Sequence, residues 1–227
     1  MTRSLRIVIT AGPTREPIDP VRFLSNYSSG YMGACLAEES LRRGHRVTVI
    51  SGPGSEALPS RARVVPVEQA RDMETALRRE ARRADVVIMA AAVADFRPAA
   101  IQPVKRPRRG RLTLSLRATP DIIGRLPRRS GQIRVGFALE TGKTAVQRAA
   151  RKLRDKQLDL VLAQRASTAR PPFGRQAVRA WVLERGGSAE PLGIASKAKV
   201  ARVLLDKIEA LWYRQPEPLT SGHVAKT

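Results

Sequence analysis

Short apolar runs alternate along the chain with stretches in which the apolar positions have a helical spacing. Strand-like runs stand at 7–10, 46–50, 133–139 and 158–163, and residues 85–93 are almost continuously apolar. So few polar positions are typical of a strand in a parallel sheet that is covered on both faces. The pattern therefore predicts a buried parallel sheet.

Helical spacing is found at 30–43, 71–83, 144–156 and 196–212, the last with Ser196 as a candidate N-cap. Strands that alternate with helices in this way favour a parallel sheet with right-handed crossovers. The fold is therefore predicted to be α/β, a Rossmann-like three-layer αβα arrangement with a mainly parallel central sheet.

Less regular segments fill the rest of the chain. Residues 11–28 and the Pro-rich, basic stretch 96–111 are predicted to be loops. Alternating leucines at 112, 114 and 116 predict a half-exposed strand, and 120–126 a short helix. Two further strands, 177–184 and 189–194, are expected to pair with each other.

Length and composition suit one globular domain with a sizeable core, since the chain has 227 residues of which 42% are apolar. Residues 1–213 are predicted to form this single domain and 214–227 a polar, disordered tail. No run of about 20 apolar residues could span a bilayer, and the first ten residues lack a signal-peptide pattern. A single cysteine, Cys35, excludes an internal disulfide, so a cytoplasmic location is expected.

Basic residues are in large excess, with 42 Lys and Arg against 20 Asp and Glu and a formal net charge of +22. Such a charge attracts polyanions: nucleic acid, an anionic membrane or phosphorylated small molecules. An Arg-rich composition on solvated faces would give the same total. A nucleic-acid-binding protein is disfavoured because aromatic residues make up only 4% and no recognition motif is present.

The stretch before the first helix is a candidate phosphate site. Ser28, Ser29 and Gly30 stand where a helix presents free N–H groups and the positive end of its dipole. Ser29 could equally serve only as a helix cap. A nicotinamide-dependent reductase is disfavoured because no G-x-G-x-x-G follows the first strand, and Ser51 and Gly52 follow the second strand instead of an acidic residue.

Several longer motifs occur in one order along the chain. They are TAGPTREPIDPVRFLSN and SSGYMG within 10–33, AAAVADFRP at 90–98, TPDII at 119–123, VGFALET at 135–141 and A-x-K-L-x-x-K-x-x-D at 150–159. Together they closely resemble the phosphopantothenoylcysteine synthetase (phosphopantothenate–cysteine ligase) family, over residues 6–213. This family forms the synthetase part of the bifunctional coenzyme A biosynthesis flavoprotein, and the chain is expected to stand alone without the decarboxylase domain.

The resemblance implies a ligase that joins 4′-phosphopantothenate to cysteine in two steps. The substrate carboxylate attacks the α-phosphate of a nucleotide to give an acyl-nucleotidylate, and the cysteine amine then displaces the nucleoside monophosphate. CTP is favoured over ATP, with Mg²⁺ held mainly by the nucleotide phosphates and no metal site built by the protein. A homodimer is also implied, and the sequence leaves open whether a separate phosphopantothenoylcysteine decarboxylase is a partner.

By resemblance, Asn26 and Lys105 are the catalytic residues: the amide handles the intermediate and the ammonium stabilises the departing pyrophosphate. Ser28, Ser29 and Gly30 would bind the substrate phosphate. The nucleotide would be bound by Ala90, Ala91, Asp95, Lys105, Pro120, Asp121, Ile122, Ile123, Phe137, Lys152 and Lys156. Without the resemblance, a turn asparagine, a solvated basic loop and surface lysines would explain the same residues.

Three positions depart from the family pattern. Tyr31 stands where relatives commonly have lysine, Pro107 interrupts the basic loop, and Gln164 replaces an asparagine. These changes bear on substrate affinity and nucleotide choice. They also keep open a divergent member that lacks activity and serves as a nucleotide- or nucleic-acid-binding protein.

Overall fold

A computed structural model describes residues 3–108, 110–166 and 172–214. The strands in these residues are β1 (Arg6–Ala11), β2 (Arg15–Pro17), β3 (Phe23–Ser25), β4 (Arg46–Ser51), β5 (Arg63–Pro66), β6 (Val86–Met89), β7 (Phe96–Pro98), β8 (Leu116–Ala118), β9 (Ile133–Thr141), β10 (Leu160–Ala166), β11 (Val178–Glu184) and β12 (Ala189–Ala195). The helices are α1 (Tyr31–Arg42), α2 (Ala70–Ala81), α3 (Ala145–Asp155) and α4 (Lys197–Arg214).

Eight of these strands form one sheet in the order β12-β11-β10-β9-β6-β1-β4-β5. The six strands from β10 to β5 are parallel, and β11 and β12 extend the sheet in antiparallel fashion. The parallel part has the strand order of a doubly wound dinucleotide-binding fold, in which the connections reverse direction between β1 and β6. Both the Rossmann-like prediction and the pairing of the last two strands are confirmed.

Helices cover both faces of the sheet, and alternate residues of each strand point to opposite layers. In β1, Ile7 and Ile9 pack in the core beneath α1 and α4, whereas Val8 packs in the core beneath α2 and α3. Ser196 caps α4 as predicted, since its Oγ accepts a hydrogen bond from Lys199 N at 3.2 Å. The three-layer arrangement thus follows from strands that are apolar on both sides.

The segment 11–28, predicted to be a loop, instead contains the two-stranded antiparallel hairpin of β2 and β3. Its short strands hold too few apolar positions to show a period. Contacts outside the hairpin stabilise it, because the buried carboxylate of Glu16 accepts a hydrogen bond from Ala70 N at 2.8 Å at the start of α2. This long-range contact is invisible in the local pattern.

Two other predictions were wrong in part. The leucine alternation at 112–116 yields a strand only from Leu116 onward, because its partner β7 is three residues long and lies within the predicted loop 96–111. The predicted helix at 120–126 is a set of turns, in which Asp121 Oδ1 accepts from Gly124 N at 3.2 Å. Gly124 and Pro127 leave room for little more than one turn.

The predicted tail falls outside the described residues except for Arg214, which ends α4. No helix in the described part of the chain is long and apolar enough to cross a membrane.

Candidate functional site

The carboxyl ends of β1 and β6 meet at the point where the sheet connections reverse, which is where ligands bind in open α/β sheets. At this point, hydrogen bonds link the segment that follows β6 to the end of β1. Thr10 Oγ1 accepts a hydrogen bond from Ala91 N at 3.1 Å, and Ala92 N donates to Gly12 O at 2.9 Å. Thr10 is fully buried, and sequence reasoning missed its role. A polar residue at the end of an apolar strand is the signal that could have found it.

Two clefts flank the segment that follows β6, and they share the residues Ala91, Ala92 and Phe137. The first cleft, of about 140 Å³, is lined by Ser28, Ser29, Gly30, Tyr31, Met32, Gly33, Ala90, Ala91, Ala92, Phe137, Leu139, Gln164, Pro172, Phe173, Gly174 and Lys197. The second cleft, of about 300 Å³, is lined by Met89, Ala91, Ala92, Val93, Asp95, Thr119, Pro120, Asp121, Ile122, Ile123, Gly136, Phe137, Lys152 and Lys156.

The first cleft brings together the three residues assigned to the substrate phosphate. Ser28 Oγ accepts from Gly30 N and Ser29 Oγ from Tyr31 N, each at 3.3 Å. Both serines therefore fold the turn that opens α1. The N–H groups of Met32 and Gly33, in the first helical turn, have no acceptor within the helix and are oriented for an anion.

A glycine arrangement that the sequence did not suggest forms the base of this cleft. Gly12 and Gly30 have φ angles of +76° and +89° and lie against each other. A methyl group at Gly33 would lie 2.4 Å from Ala11 Cβ, so only glycine lets α1 approach β1 so closely. The glycines of a dinucleotide-binding turn serve the same ends, close backbone approach and helix–strand packing. Here 17 intervening residues separate the first glycine from the second and hide the pattern.

Lys197 was also missed by sequence reasoning. It is 5% exposed and, among the described residues, is the only charged residue that lines the first cleft. Its Nζ donates to Pro172 O at 2.8 Å and to Gly174 O at 2.7 Å. Burial lowers the pKa of Lys197 below its ordinary value. A lysine at the start of a C-terminal helix carries no sequence signal of such a position.

The second cleft collects nine of the eleven residues assigned to the nucleotide, and Ala90 lines the first cleft instead. Lys156 Nζ lies 3.0 Å from Asp121 Oδ1, and Lys152 Nζ donates to Phe137 O at 2.5 Å. The pKa of Lys152 is lowered mainly by burial and secondly by the neighbouring charge of Lys156. Asp95 is exposed at the rim. The cleft thus offers two cations and two carboxylates around a small apolar floor.

Asn26 lines neither cleft but is hydrogen-bonded to a residue that lines both. Its Nδ2 donates a hydrogen bond to Ala92 O at 3.0 Å, and Ala92 lines both clefts. Thr14 N donates to the same carbonyl oxygen at 3.4 Å. Asn26 itself is exposed. One amide N–H and the amide oxygen therefore remain available to a ligand that bridges the clefts.

Lys105 lines neither cleft and is exposed on the loop between β7 and β8. The next residue is anchored, since Asp19 Oδ2 accepts from Arg106 N at 3.3 Å and Arg22 Nη2 donates to Arg106 O at 2.7 Å. Burial raises the pKa of Asp19, but hydrogen bonds from Val21, Arg22 and Arg106 outweigh it and lower that pKa to about 2. The structure does not bring Lys105 together with the other assigned residues.

Two of the three departures from the family pattern, Tyr31 and Gln164, line the first cleft, and Pro107 is exposed on the loop with Lys105. Lys197 Nζ lies 6.0 Å from the centroid of the Tyr31 ring. Cys35, one turn further along α1, is half-buried, and burial raises the pKa of its thiol. Within residues 3–108, 110–166 and 172–214, no group of three or more His, Cys, Asp or Glu could hold a metal ion.

Comparison with known proteins identifies relatives over nearly the whole chain. A curated relative, the coenzyme A biosynthesis bifunctional protein CoaBC of Bacillus subtilis (strain 168), is 41% identical over 208 residues, which are 90% of this chain and 51% of that protein. The chain thus spans about half the length of such relatives.

Solved structures agree with the sequence comparison. The C-terminal domain of a coenzyme A biosynthesis bifunctional protein CoaBC is 34% identical with a TM-score of 0.79, covering 94% of this chain and 98% of that domain. Cab2 mutant H337A, in complex with phosphopantothenate-cysteine, has a TM-score of 0.71 over 92% of this chain and 87% of that one. At 19% identity, this second similarity shows the fold alone.

The model of one protein family, described as the DNA/pantothenate metabolism flavoprotein C-terminal domain, matches residues 2–211. The matched residues include the eight-stranded sheet, α1, α2, α3, most of α4 and the described lining of both clefts. The chain therefore belongs to the DNA/pantothenate metabolism flavoprotein C-terminal domain family.

Proposed function

We propose that this protein is a phosphopantothenate–cysteine ligase of coenzyme A biosynthesis. It would join 4′-phosphopantothenate to cysteine through an acyl-nucleotidylate formed with CTP in preference to ATP. The observation that carries the proposal is the position of Asn26, which is bonded to Ala92 where the two clefts meet. An acyl-nucleotidylate has a phosphate at one end and a nucleotide at the other, so it needs two adjoining sites.

The shapes and charges of the clefts support this division. The first cleft offers the N–H groups of α1 and has no carboxylate in the described part of its lining, which suits the substrate phosphate. The second has Lys152 and Lys156 beside apolar residues, which suits a base, ribose and α-phosphate. Membership in a family whose relatives include CoaBC proteins of coenzyme A biosynthesis supports the same substrates.

In the first step, the substrate carboxylate oxygen attacks the α-phosphorus of CTP and pyrophosphate leaves. The protein holds the two reactants in line by binding each in its own cleft. Lys105, on its exposed loop, would reach the β- and γ-phosphates and stabilise the charge of the departing pyrophosphate. Pyrophosphate would then leave from the open side of the site, next to the loop.

In the second step, the cysteine amine attacks the acyl carbon and CMP leaves with the bridging oxygen. Negative charge develops on the acyl oxygen, and an amide N–H of Asn26 would donate to it. A neutral donor is suited to this task because it does not protonate the attacking amine. The hydrogen bond to Ala92 O fixes the side chain in advance.

Mg²⁺ is implied by triphosphate chemistry and would be held mainly by phosphate oxygens. The donor set fits such binding, since Asp95 is exposed at the rim of the second cleft and Asp121 is bonded to Lys156. When bound, the ion would neutralise part of the triphosphate charge. Lys105 would then stabilise only the remaining negative charge as pyrophosphate departs.

A homodimer is part of the proposal. Exposed apolar side chains are concentrated on the β2–β3 and β7–β8 hairpins and the loops beside them, which supports contact with a second copy. They are Val21, Phe23, Phe96, Ile101, Val104, Leu112 and Leu116. A separate decarboxylase partner stays a prediction, supported by the bifunctional names of relatives that are about twice as long as the matched region.

The test is pyrophosphate release by purified protein with Mg²⁺, 4′-phosphopantothenate and cysteine, with CTP compared to ATP. We expect release that requires phosphopantothenate and is faster with CTP. A preference for ATP would contradict only the nucleotide assignment. Release with neither nucleotide would contradict the ligase and favour a divergent binding protein.

A further inference from the structure

The first cleft contains one buried charge that the proposed mechanism leaves unused. Lys197 is 5% exposed, and its neighbours in the lining, as far as the structure describes them, include no Asp or Glu. A buried ammonium without an anionic partner is costly, because hydrogen bonds to neutral groups replace only part of its hydration. The ammonium of Lys197 nevertheless lies in the wall of a cleft and not in a closed core.

The remaining hydrogen-bonding capacity of Lys197 can be counted. An ammonium has three N–H donors. Two are used by the carbonyl oxygens of Pro172 and Gly174, at 2.8 and 2.7 Å. Glu56, the carboxylate that acts on the pKa of Lys197, is held 3.0 Å from Arg175. Among the described residues, one donor is therefore left for a ligand, and no carboxylate forms an ion pair with the ammonium.

Another part of the cleft lining has matching chemistry. It consists of the start of α1, where the N–H groups of Met32 and Gly33 lie in the first helical turn. Backbone donors and an ammonium that line the same cleft are complementary to a group with several anionic oxygens. A neutral ligand group would leave the ammonium uncompensated.

We propose that Lys197 binds the phosphate of the acid substrate and makes the first cleft specific for the phosphorylated form. The ammonium lies 6.0 Å from the ring centroid of Tyr31, the first residue of α1. The inference rests on the proposed function, since it takes phosphopantothenate as the ligand. The hydrogen bonds to Pro172 and Gly174 hold the ammonium in place.

Calorimetric titration of the full chain with 4′-phosphopantothenate and with pantothenate tests this role. Lys197→Met removes the charge and all donors, whereas Lys197→Gln removes the charge but keeps donors for the loop carbonyls. We expect both variants to bind phosphopantothenate about 10-fold or more weakly, as for loss of a charged hydrogen bond. Pantothenate binding should change less than about twofold, and the control Lys199→Met, exposed on the same helix, should change neither affinity.

An equal loss for both ligands would mean that Lys197 only ties the loop at 172–174 to α4, and would overturn the assignment. So would wild-type protein that binds the two acids equally. Should Lys197→Met fail to fold, Lys197→Gln decides the question. Because binding needs no catalysis, these results are distinct from a failure of the ligase reaction, which would appear as absent pyrophosphate release in wild type.

Discussion

The two clefts share Ala91, Ala92 and Phe137 but are built in different ways. The first is formed by backbone: a helix start packed on β1 through Gly33, glycines at positive φ, and one buried lysine. The second is formed by side chains, with Lys152, Lys156 and Asp121 arranged around an apolar floor. The first therefore suits a compact anion of fixed geometry, and the second a larger ligand of mixed polarity.

This difference indicates where the chain tolerates change. Side chains at a rim can be replaced with local consequences, whereas a backbone site depends on the packing of whole elements. Asn26 belongs to neither set alone, because its partner Ala92 lines both clefts. Substitutions should accordingly fall into three groups: those that stop the joint reaction, those that disrupt packing, and those that affect one ligand.

The largest effect is expected at Asn26. Asn26→Ala removes the donor to the acyl oxygen, so cysteine-dependent amide formation should fall about 10²- to 10³-fold. Acyl-cytidylate formation should persist, because each cleft remains intact. Chromatography of quenched single-turnover reactions separates the two species. Equal loss of both half-reactions would mean that Asn26 organises the whole site and does not act on the second step.

Packing beneath the first cleft should be next in sensitivity. Gly33→Ala places a methyl group 2.4 Å from Ala11 Cβ, so the free energy of unfolding should fall by about 1–3 kcal/mol. Urea unfolding measures it. The control is Gly187→Ala, whose added methyl would lie 3.6 Å from its nearest neighbour. If both variants were equally stable, close approach of α1 to β1 would not define the cleft.

A substitution in the second cleft should affect the nucleotide alone. Lys152→Met removes a cation that lies among nucleotide-cleft residues, so KM for CTP should rise about 10-fold. KM for phosphopantothenate should change less than about twofold. Steady-state kinetics with each substrate varied in turn measure both constants, with Arg151→Met, exposed on the same helix, as the control. A rise in the phosphopantothenate KM instead would reverse the assignment of the clefts.

The smallest effect concerns the anchor of the Lys105 loop. The pKa of Asp19 lies at about 2 in the folded protein, below its ordinary 3.8, so the carboxylate stabilises the fold above pH 3.8. This contribution should be lost as the pH falls from 3.8 through about 2. In urea unfolding, Asp19→Asn should lower the free energy of unfolding at neutral pH. It should also reduce the fall of that free energy between pH 3.8 and about 2. The control Asp155→Asn, at an exposed position at the end of α3, should leave this pH dependence of the free energy of unfolding unchanged.

The sequence predicted the fold well because it depends on local patterns. Buried parallel strands such as β6 are apolar throughout, and amphipathic helices such as α2 repeat with the helical period. The β2–β3 hairpin was missed because it is stabilised by a distant contact between Glu16 and Ala70.

Site residues were predicted where a motif carried them, and not otherwise. The motifs placed Asp121, Phe137 and Lys152 in one set, and the structure brings them to one cleft. Lys197 has no local signature, since its burial and its lack of an acidic neighbour arise only when α4 packs against α1. Lys105 stays apart because its loop is anchored to Asp19 and Arg22, which line neither cleft.

The most direct test of a reaction across two joined clefts follows an oxygen atom. Phosphopantothenate labelled with ¹⁸O in its carboxylate is turned over with CTP, cysteine and Mg²⁺, and the products are analysed by mass spectrometry. Attack on the α-phosphorus followed by amide formation should leave one ¹⁸O atom in CMP. Label in inorganic phosphate and none in CMP would mean that the terminal phosphate activates the acid, and would contradict the acyl-nucleotidylate mechanism.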